Sequence, residues 1–303
     1  MEASSIFQNG STWLRADFHL HTKADKEFPP YIGNDFVNEY VAKLAEKNIG
    51  VGIITNHNKF DKAEFVVLKK KALEREIGLF PGVEFSLKEG IHVLLVFDDA
   101  WYKGDNDTIN EFLRAAFYGI PNFDTPDYPN SNYDLAETVE KLDKIGHNYF
   151  IVLAHVDTNN GLNDVLSGRT REAFIKHESF NKVLAIQKSG NLERYISLCQ
   201  LADREVACIE GSDNAQKGID GLGEGKITYL KIGDFNLEAL QYALIDHKNR
   251  VRKIEKPLTE NSWIKSISFQ GGMLNGKTIS LSPELNSLIG IRGSGKSSIL
   301  EIL

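Results

Sequence analysis

Two histidines, His19 and His21, are separated by a single residue in the stretch Ala16-Asp17-Phe18-His19-Leu20-His21-Thr22. Five later apolar runs each carry a metal-liking side chain at one end: His57, Glu84, His92, His155 and Asp213. Imidazole and carboxylate donors suit Zn, Mn, Fe or Ni, and the lack of clustered thiolates argues against a structural cysteine site. In a strand, residues i and i+2 project to the same side, so His19 and His21 converge on one point. Any one of these histidines alone is more simply read as a structural or surface residue. Five of the eight histidines at strand ends, together with Glu84 and Asp213, point instead to a metal centre. His147, His177 and His247 lack such flanks and are assigned to the surface.

The elements that must position these groups alternate. Strands are expected at Val51 to Thr55, Phe80 to Val83, Ile91 to Phe97, Phe150 to Ala154 and Val206 to Gly211. Helices are expected at Asp35 to Lys47, Asp61 to Glu76, Asn106 to Phe117, Leu135 to Ile145, Thr170 to His177, Leu192 to Ala202 and Leu237 to His247. This alternation predicts a mostly parallel α/β sheet or barrel, whose active site lies where the strands end. The segment Gly119 to Asn132, rich in Pro, Asn and Asp, reads as turns in a surface insertion. Around Pro257 the pattern changes to short strands, which places a domain boundary near residue 256, between a domain at 1–255 and a fragment at 256–303.

With 303 residues, 42% of them apolar, the chain can hold one large α/β domain and a smaller piece. Its net charge of −7 denies it the overall positive field of most nucleic-acid binders, although bound cations would alter the balance at the site. Cys199 and Cys208 are too few for a disulfide framework. No signal-peptide pattern or membrane-length apolar run is present, so a cytoplasmic protein without a membrane partner is expected.

The ordered motifs His19-x-His21, Thr55-x-His57, Gly82-x-Glu84, His92-x-Leu94, Ala154-His155 and Gly211-Ser212-Asp213 resemble the PHP (polymerase and histidinol phosphatase) domain, over about residues 14 to 250. The resemblance implies a distorted (β/α)7 barrel that binds up to three metal ions and hydrolyses phosphoesters. It implies that His19 and His21 hold one ion with Asp213, that Glu84 bridges to a second held by His92 and His155, and that His57 serves the third position. Three departures bear on this. Where the family ends with Asp-x-His, this chain reads Asp213-Asn214-Ala215-Gln216, so the third ion is expected to bind weakly or not at all. After His21 the chain offers Asp25 and Glu27 where the family often carries a further ligand, and Glu27 is the preferred candidate. Asn56 stands where the family usually has Asp before the second-motif histidine.

Two divalent ions, Mn, Zn or Fe, would activate a water for phosphoester hydrolysis, with Glu84, His57 and Asp213 as the catalytic carboxylates and imidazole. A metal-bound water or His57 is the candidate for protonating the leaving group. Arg169, Arg171 and Lys188 are candidates for binding the substrate phosphate, since guanidinium forks match phosphate oxygens. Lys69-Lys70-Lys71 and the stretch from His247 to Lys253 read as solvated helix faces.

A second signal closes the chain. Gly290-Ile291-Arg292-Gly293-Ser294-Gly295-Lys296-Ser297 fits the P-loop pattern after an expected strand at Leu285 to Ile289. Gly290, Gly293 and Gly295 could cradle phosphates, Lys296 could reach the β and γ phosphates and Ser297 could ligate Mg. The segment resembles the opening of an ATPase domain of the SMC and ABC-like class, and the whole chain is similar to the N-terminal part of TrlF-like PHP–ATPase fusions. That resemblance implies ATP and Mg use only in a longer protein, self-association through its ATPase region, and a role in nucleic-acid processing, repair or phage defence. The expected function is a metal-dependent phosphoesterase, a nuclease before a phosphatase. The alternatives are a small-molecule phosphatase of the histidinol-phosphatase kind, or a weakened metal-binding regulatory module.

Overall fold

The computed structural model describes residues 5–125, 129–187, 190–225, 227–254 and 262–302. Lys188, residues 126–128 of the expected insertion and the expected boundary at 255 and 256 lie outside the described residues. Two compact units form, one spanning Thr12–Lys256 and the other combining Met1–Ser11 with Pro257–Leu303.

The larger unit is built on strands β1 (Thr12–Leu20), β2 (Ile49–Ile54), β3 (Gly78–Ser86), β4 (His92–Phe97), β5 (Tyr149–Leu153), β6 (Val183–Gln187), β7 (Ala207–Ile209), β8 (Thr228–Ile232) and β9 (Val251–Arg252). Its helices are α1 (Phe36–Glu46), α2 (Lys62–Leu73), α3 (Thr108–Ala116), α4 (Leu135–Ile145), α5 (Leu162–Val165), α6 (Gly168–Lys176), α7 (Leu192–Leu201), α8 (Leu237–Ile245) and α9 (His247–Arg250). Aspartates or asparagines start several of these helices for a local reason. The Asp35, Asp61, Asp134 and Asn191 side chains accept from otherwise orphaned backbone N–H groups, and Asp134 with Glu137 completes a capping box.

The strands form one sheet in the order β7-β6-β5-β4-β3-β2-β1-β8-β9. It curls nearly closed: beyond β7, the Asp213 N–H donates to the His19 carbonyl of β1 at 2.9 Å and the Glu210 N–H donates to Thr228 Oγ1 of β8 at 2.7 Å. The expected α/β barrel is present, but the expectation of a mostly parallel sheet is corrected. Parallel pairing joins β1 to β2, β2 to β3, β5 to β6 and β6 to β7, whereas β3–β4, β4–β5, β1–β8 and β8–β9 are antiparallel. Length explains the reversal at β3–β4. The few residues between Ser86 and His92 make a tight return and leave no room for the helix that a parallel crossover requires.

Alternation along the strands separates packing from chemistry. Leu79, Val83 and Phe85 of β3, Val93, Leu95 and Phe97 of β4, and Ile151 and Leu153 of β5 join a buried apolar cluster with Tyr40, Phe65, Leu68, Phe112 and Leu142 of the helices. The intervening residues Phe80, Gly82 and Glu84, then His92, Leu94 and Val96, therefore face the other way, into the barrel. Glu84 is the charged member of that inner row, and β3 runs past it to Ser86 because pairing with β4 extends the strand.

In the smaller unit, β10 (Ser266–Ser268) pairs antiparallel with β11 (Thr278–Ser280), and α10 spans Lys296–Ile302. The expected strand at Leu285 to Ile289 is not formed. Leu285 and Ile289 are exposed, and among the described residues no strand pairs with this segment to satisfy its backbone groups. The Lys296 ammonium donates to the Gly290 and Ile291 carbonyls at 2.6 and 2.7 Å.

Candidate metal centre

β1, β2, β3, β4 and β5 bring five imidazoles to one buried carboxylate. Glu84 Oε2 lies 2.7 Å from His19 Nε2, 3.5 Å from His21 Nε2 and 3.1 Å from His57 Nε2. Glu84 Oε1 lies 2.9 Å from His92 Nδ1 and 3.0 Å from His155 Nε2. Backbone pairing dictates these approaches. Glu84 opposes Leu94 across the β3–β4 ladder, so His92, two residues away on the same face, is its diagonal neighbour. His57 continues beyond β2 as an isolated parallel bridge to Glu84, with the Asn58 N–H donating to the Glu84 carbonyl at 2.8 Å. His155 follows from the Ala154 N–H donating to the His92 carbonyl.

Asp213 completes the group on the His19 side. Its Oδ1 is 4.0 Å from His19 Nε2 and 3.7 Å from His21 Nε2. His155 and Asp213 both hold positive φ, 25° and 52°, a conformation uncommon for non-glycine residues and concentrated where side chains must be aimed. Gly211 is required by proximity: a Cβ there would meet the His19 Cβ at 2.7 Å and the His19 N at 2.9 Å. Asp17, buried below, accepts from the His19 and Ser212 N–H groups and so binds β1 to the turn that carries Asp213.

A second row of polar groups aims the imidazoles. His19 Nδ1 lies 2.9 Å from Gln187 Oε1 at the end of β6, and His21 Nδ1 lies 2.9 Å from Asp25 Oδ2. Asp25 Oδ2 also accepts from the His57 N–H and lies 2.9 Å from His57 Nδ1. With Nδ1 engaged in this way, the Nε2 atoms of His19, His21 and His57 turn toward Glu84.

The electrostatics follow from burial and mutual attraction. Burial disfavours charge on His19, but Glu84 and Asp213 outweigh it and raise the group from 6.5 to about 9. His57 behaves alike: burial opposes its charge, yet Glu84 and Asp25 raise it from 6.5 to about 9. His21 is lowered, because burial and the neighbouring His57 and His19 exceed the help from Asp25. Burial would push Glu84 up, but the facing imidazoles, led by His19 and His57, hold it well below the usual carboxylate range.

Donor atoms of His19, His21 and Asp213, of His21, Asp25 and His57, and of His57, Glu84 and His92 each lie within 4.8 Å of one another, spacings open to a cation. His21 Nε2, deeply buried, has no hydrogen-bond partner, which fits a group that ligates an ion. The residues thus fit divalent metal in both donor type and arrangement.

His57, Glu84, His92, His155 and Asp213 line a cleft of about 320 Å³, together with Glu27, Asn159, Asn160, Ala215, Gln216 and Lys217. Of the two carboxylates after His21, the structure brings Asp25 against the imidazoles. Glu27 stands at the wall, 3.4 Å from Gln216 Nε2. Arg169 and Arg171 sit on α6 and are not among the cleft-lining residues. The Arg171 guanidinium donates instead to Asn163 Oδ1, Ser197 Oγ and the Arg194 carbonyl. His147, His177 and His247 stand outside the cleft. Lys69 is not a solvated face residue: it pairs with Asp99 and lies over the Phe65, Phe80 and Tyr102 rings. Sequence reading missed Gln187, Asp17 and Lys217. Gln187 ends an apolar run, as the ligands do, but its amide is no metal-type donor and gave no signal.

No protein-family profile matches the chain, and no curated protein does. Solved structures do. Endonuclease Q, in complex with a 27-mer duplex bearing an abasic lesion, is 14% identical with a TM-score of 0.55, over 77% of this chain and 56% of that one. PsfC from Pseudomonas syringae is 13% identical with a TM-score of 0.46, over 77% of this chain and 88% of that one. A protein described as a metal-dependent phosphoesterase, from Bifidobacterium adolescentis, is 15% identical with a TM-score of 0.43, over 67% of this chain and 88% of that one. The likeness to endonuclease Q is one of fold.

Proposed function

We propose that this chain is a metal-dependent phosphoesterase of the PHP kind that cleaves phosphodiester bonds in nucleic acid. The observation that supports it is the placement of five histidines around the two oxygens of buried Glu84. Three imidazoles collect about Oε2, with Asp213 beside two of them, His19 and His21, and two imidazoles collect about Oε1, so one carboxylate can serve two divalent ions, Mn, Zn or Fe. His19, His21 and Asp213 would hold the first and His92 and His155 the second. Bound there, the pair would lower the pKa of a water and stabilise the charge that develops on phosphate.

The chain's own groups do the rest. Gln187 and Asp25 keep the ligand imidazoles in one tautomer, and Glu84 fixes the spacing of the two sets. His57 reaches the cleft wall while Asp25 holds its Nδ1, a position suited to handing a proton to the leaving oxygen. Endonuclease Q acts on a DNA duplex, which favours a polynucleotide over a small phosphoester here. The P-loop residues Gly290, Gly293, Gly295, Lys296 and Ser297 extend the proposal to a nucleotide-binding partner domain in a longer protein.

The test is to incubate the purified chain with Mn, Zn or Fe and follow single-stranded DNA, duplex DNA, RNA and a phosphomonoester, with His19→Ala as control. Metal-dependent polymer cleavage lost in the variant is expected. Turnover of the monoester alone would overturn the nuclease assignment, and inactivity on every substrate would overturn the phosphoesterase.

A further inference from the structure

Among the described residues that line the cleft, the carboxylates are Glu27, Glu84 and Asp213, and the one side chain with a permanent positive charge is Lys217. Its place is held by the backbone. The Lys217 N–H donates to the Asn214 carbonyl at 3.0 Å, while Asn214 Oδ1 accepts from the His21 N–H at 2.7 Å and Asn214 Nδ2 donates to the His21 carbonyl at 3.1 Å. The Gly218 N–H also donates to the Asn214 carbonyl, at 2.8 Å, and the positive φ of Gly218, 63°, redirects the chain that follows. Lys217 is therefore fixed in register with the first pair of imidazoles through one buried asparagine.

Depth separates its role from theirs. The side chains of His19, His21 and Glu84 are at most 1% exposed, whereas that of Lys217 is 67% exposed. A phosphate reacting on the floor would leave Lys217 at the mouth, beside whatever anion comes next along the substrate. At present the ammonium pairs with Glu224 Oε2 at 2.8 Å, and Glu224 is itself 46% exposed. Such solvent-exposed pairs are weak and exchange readily for a better anion.

We propose that Lys217 is a specificity residue that binds the phosphate adjacent to the scissile one, with Glu224 as its resting partner. The inference rests on the phosphoesterase reading and sharpens it. The favoured substrate carries consecutive phosphates along a chain, as a polynucleotide does, and the lysine contributes to binding that chain rather than to the bond-breaking step. A compact diester with no second phosphate would not engage it.

The experiment compares a short oligonucleotide with bis(p-nitrophenyl) phosphate, using wild type, Lys217→Met, Lys217→Arg and Glu224→Gln. For the oligonucleotide, Lys217→Met should raise KM roughly fivefold or more at nearly unchanged kcat, Lys217→Arg should restore most of it, and Glu224→Gln should lower KM. For the compact diester all four proteins should be alike. Equal losses on both substrates, or no change on either, would overturn the assignment of Lys217 while leaving the phosphoesterase standing. A wild type inert on both would overturn the phosphoesterase, and this assignment with it.

Discussion

Asp25 and His57 are joined twice through one oxygen: the His57 N–H donates to Asp25 Oδ2 at 2.7 Å, and His57 Nδ1 lies 2.9 Å from the same atom. Because His21 Nδ1 is also 2.9 Å from it, one buried carboxylate oxygen sets the orientation of two imidazoles. Asp25→Asn should therefore weaken metal binding by about 10- to 100-fold. Glu27→Gln, at the cleft wall, should change it by less than about threefold. Isothermal titration with Mn on both variants decides between them, and the reverse ranking would make Glu27 the functional carboxylate.

Gly211 permits the approach of the Asp213 turn to His19, where a Cβ would press on the His19 backbone at 2.9 Å. Backbone cannot yield as a flexible side chain can, so Gly211→Ala should destabilise the fold by about 1–3 kcal/mol and lower metal affinity as well. Urea unfolding of the metal-free variant measures the first effect. An unchanged midpoint would show that the turn has room to move.

The metal-free protein should lose stability as pH rises through the imidazole range. His19 and His57 are raised from 6.5 to about 9 by the carboxylates they face. Their contribution is complete below the unfolded value of 6.5 and disappears as pH climbs through about 9. In the presence of a chelator the melting temperature should fall by roughly 5 °C between those limits. With saturating metal the trend should flatten, since ligation requires the deprotonated imidazoles. A chelated protein whose melting temperature rises across this window would contradict the arrangement.

The barrel was legible because its strands carry apolar runs and its helices begin at Asp35, Asp61 and Asp134, whose caps announce themselves locally. His19, His21, Glu84, His92, His155 and Asp213 were legible for a related reason: each is a polar group at or near the end of such a run. Strand direction was not. A parallel pattern suits a chain that alternates strand and helix, but the short return from Ser86 to His92 reverses β4, a matter of connection length rather than residue type. Gln187 and Asp17 were hidden because a buried amide and a buried carboxylate gain meaning only from what they touch. Lys217 resembles any surface lysine until the Asn214 turn brings it to the cleft. Leu285 to Ile289 has the composition of a strand, yet composition cannot provide a pairing partner.

If Glu84 joins two metal positions, as proposed, metal content after equilibrium dialysis against Mn shows it most directly. Wild type should retain about two ions per chain, Glu84→Gln no more than about one, and the double variant His92→Ala/His155→Ala about one. Retention of two ions by Glu84→Gln, or of none by the wild type, would contradict the account.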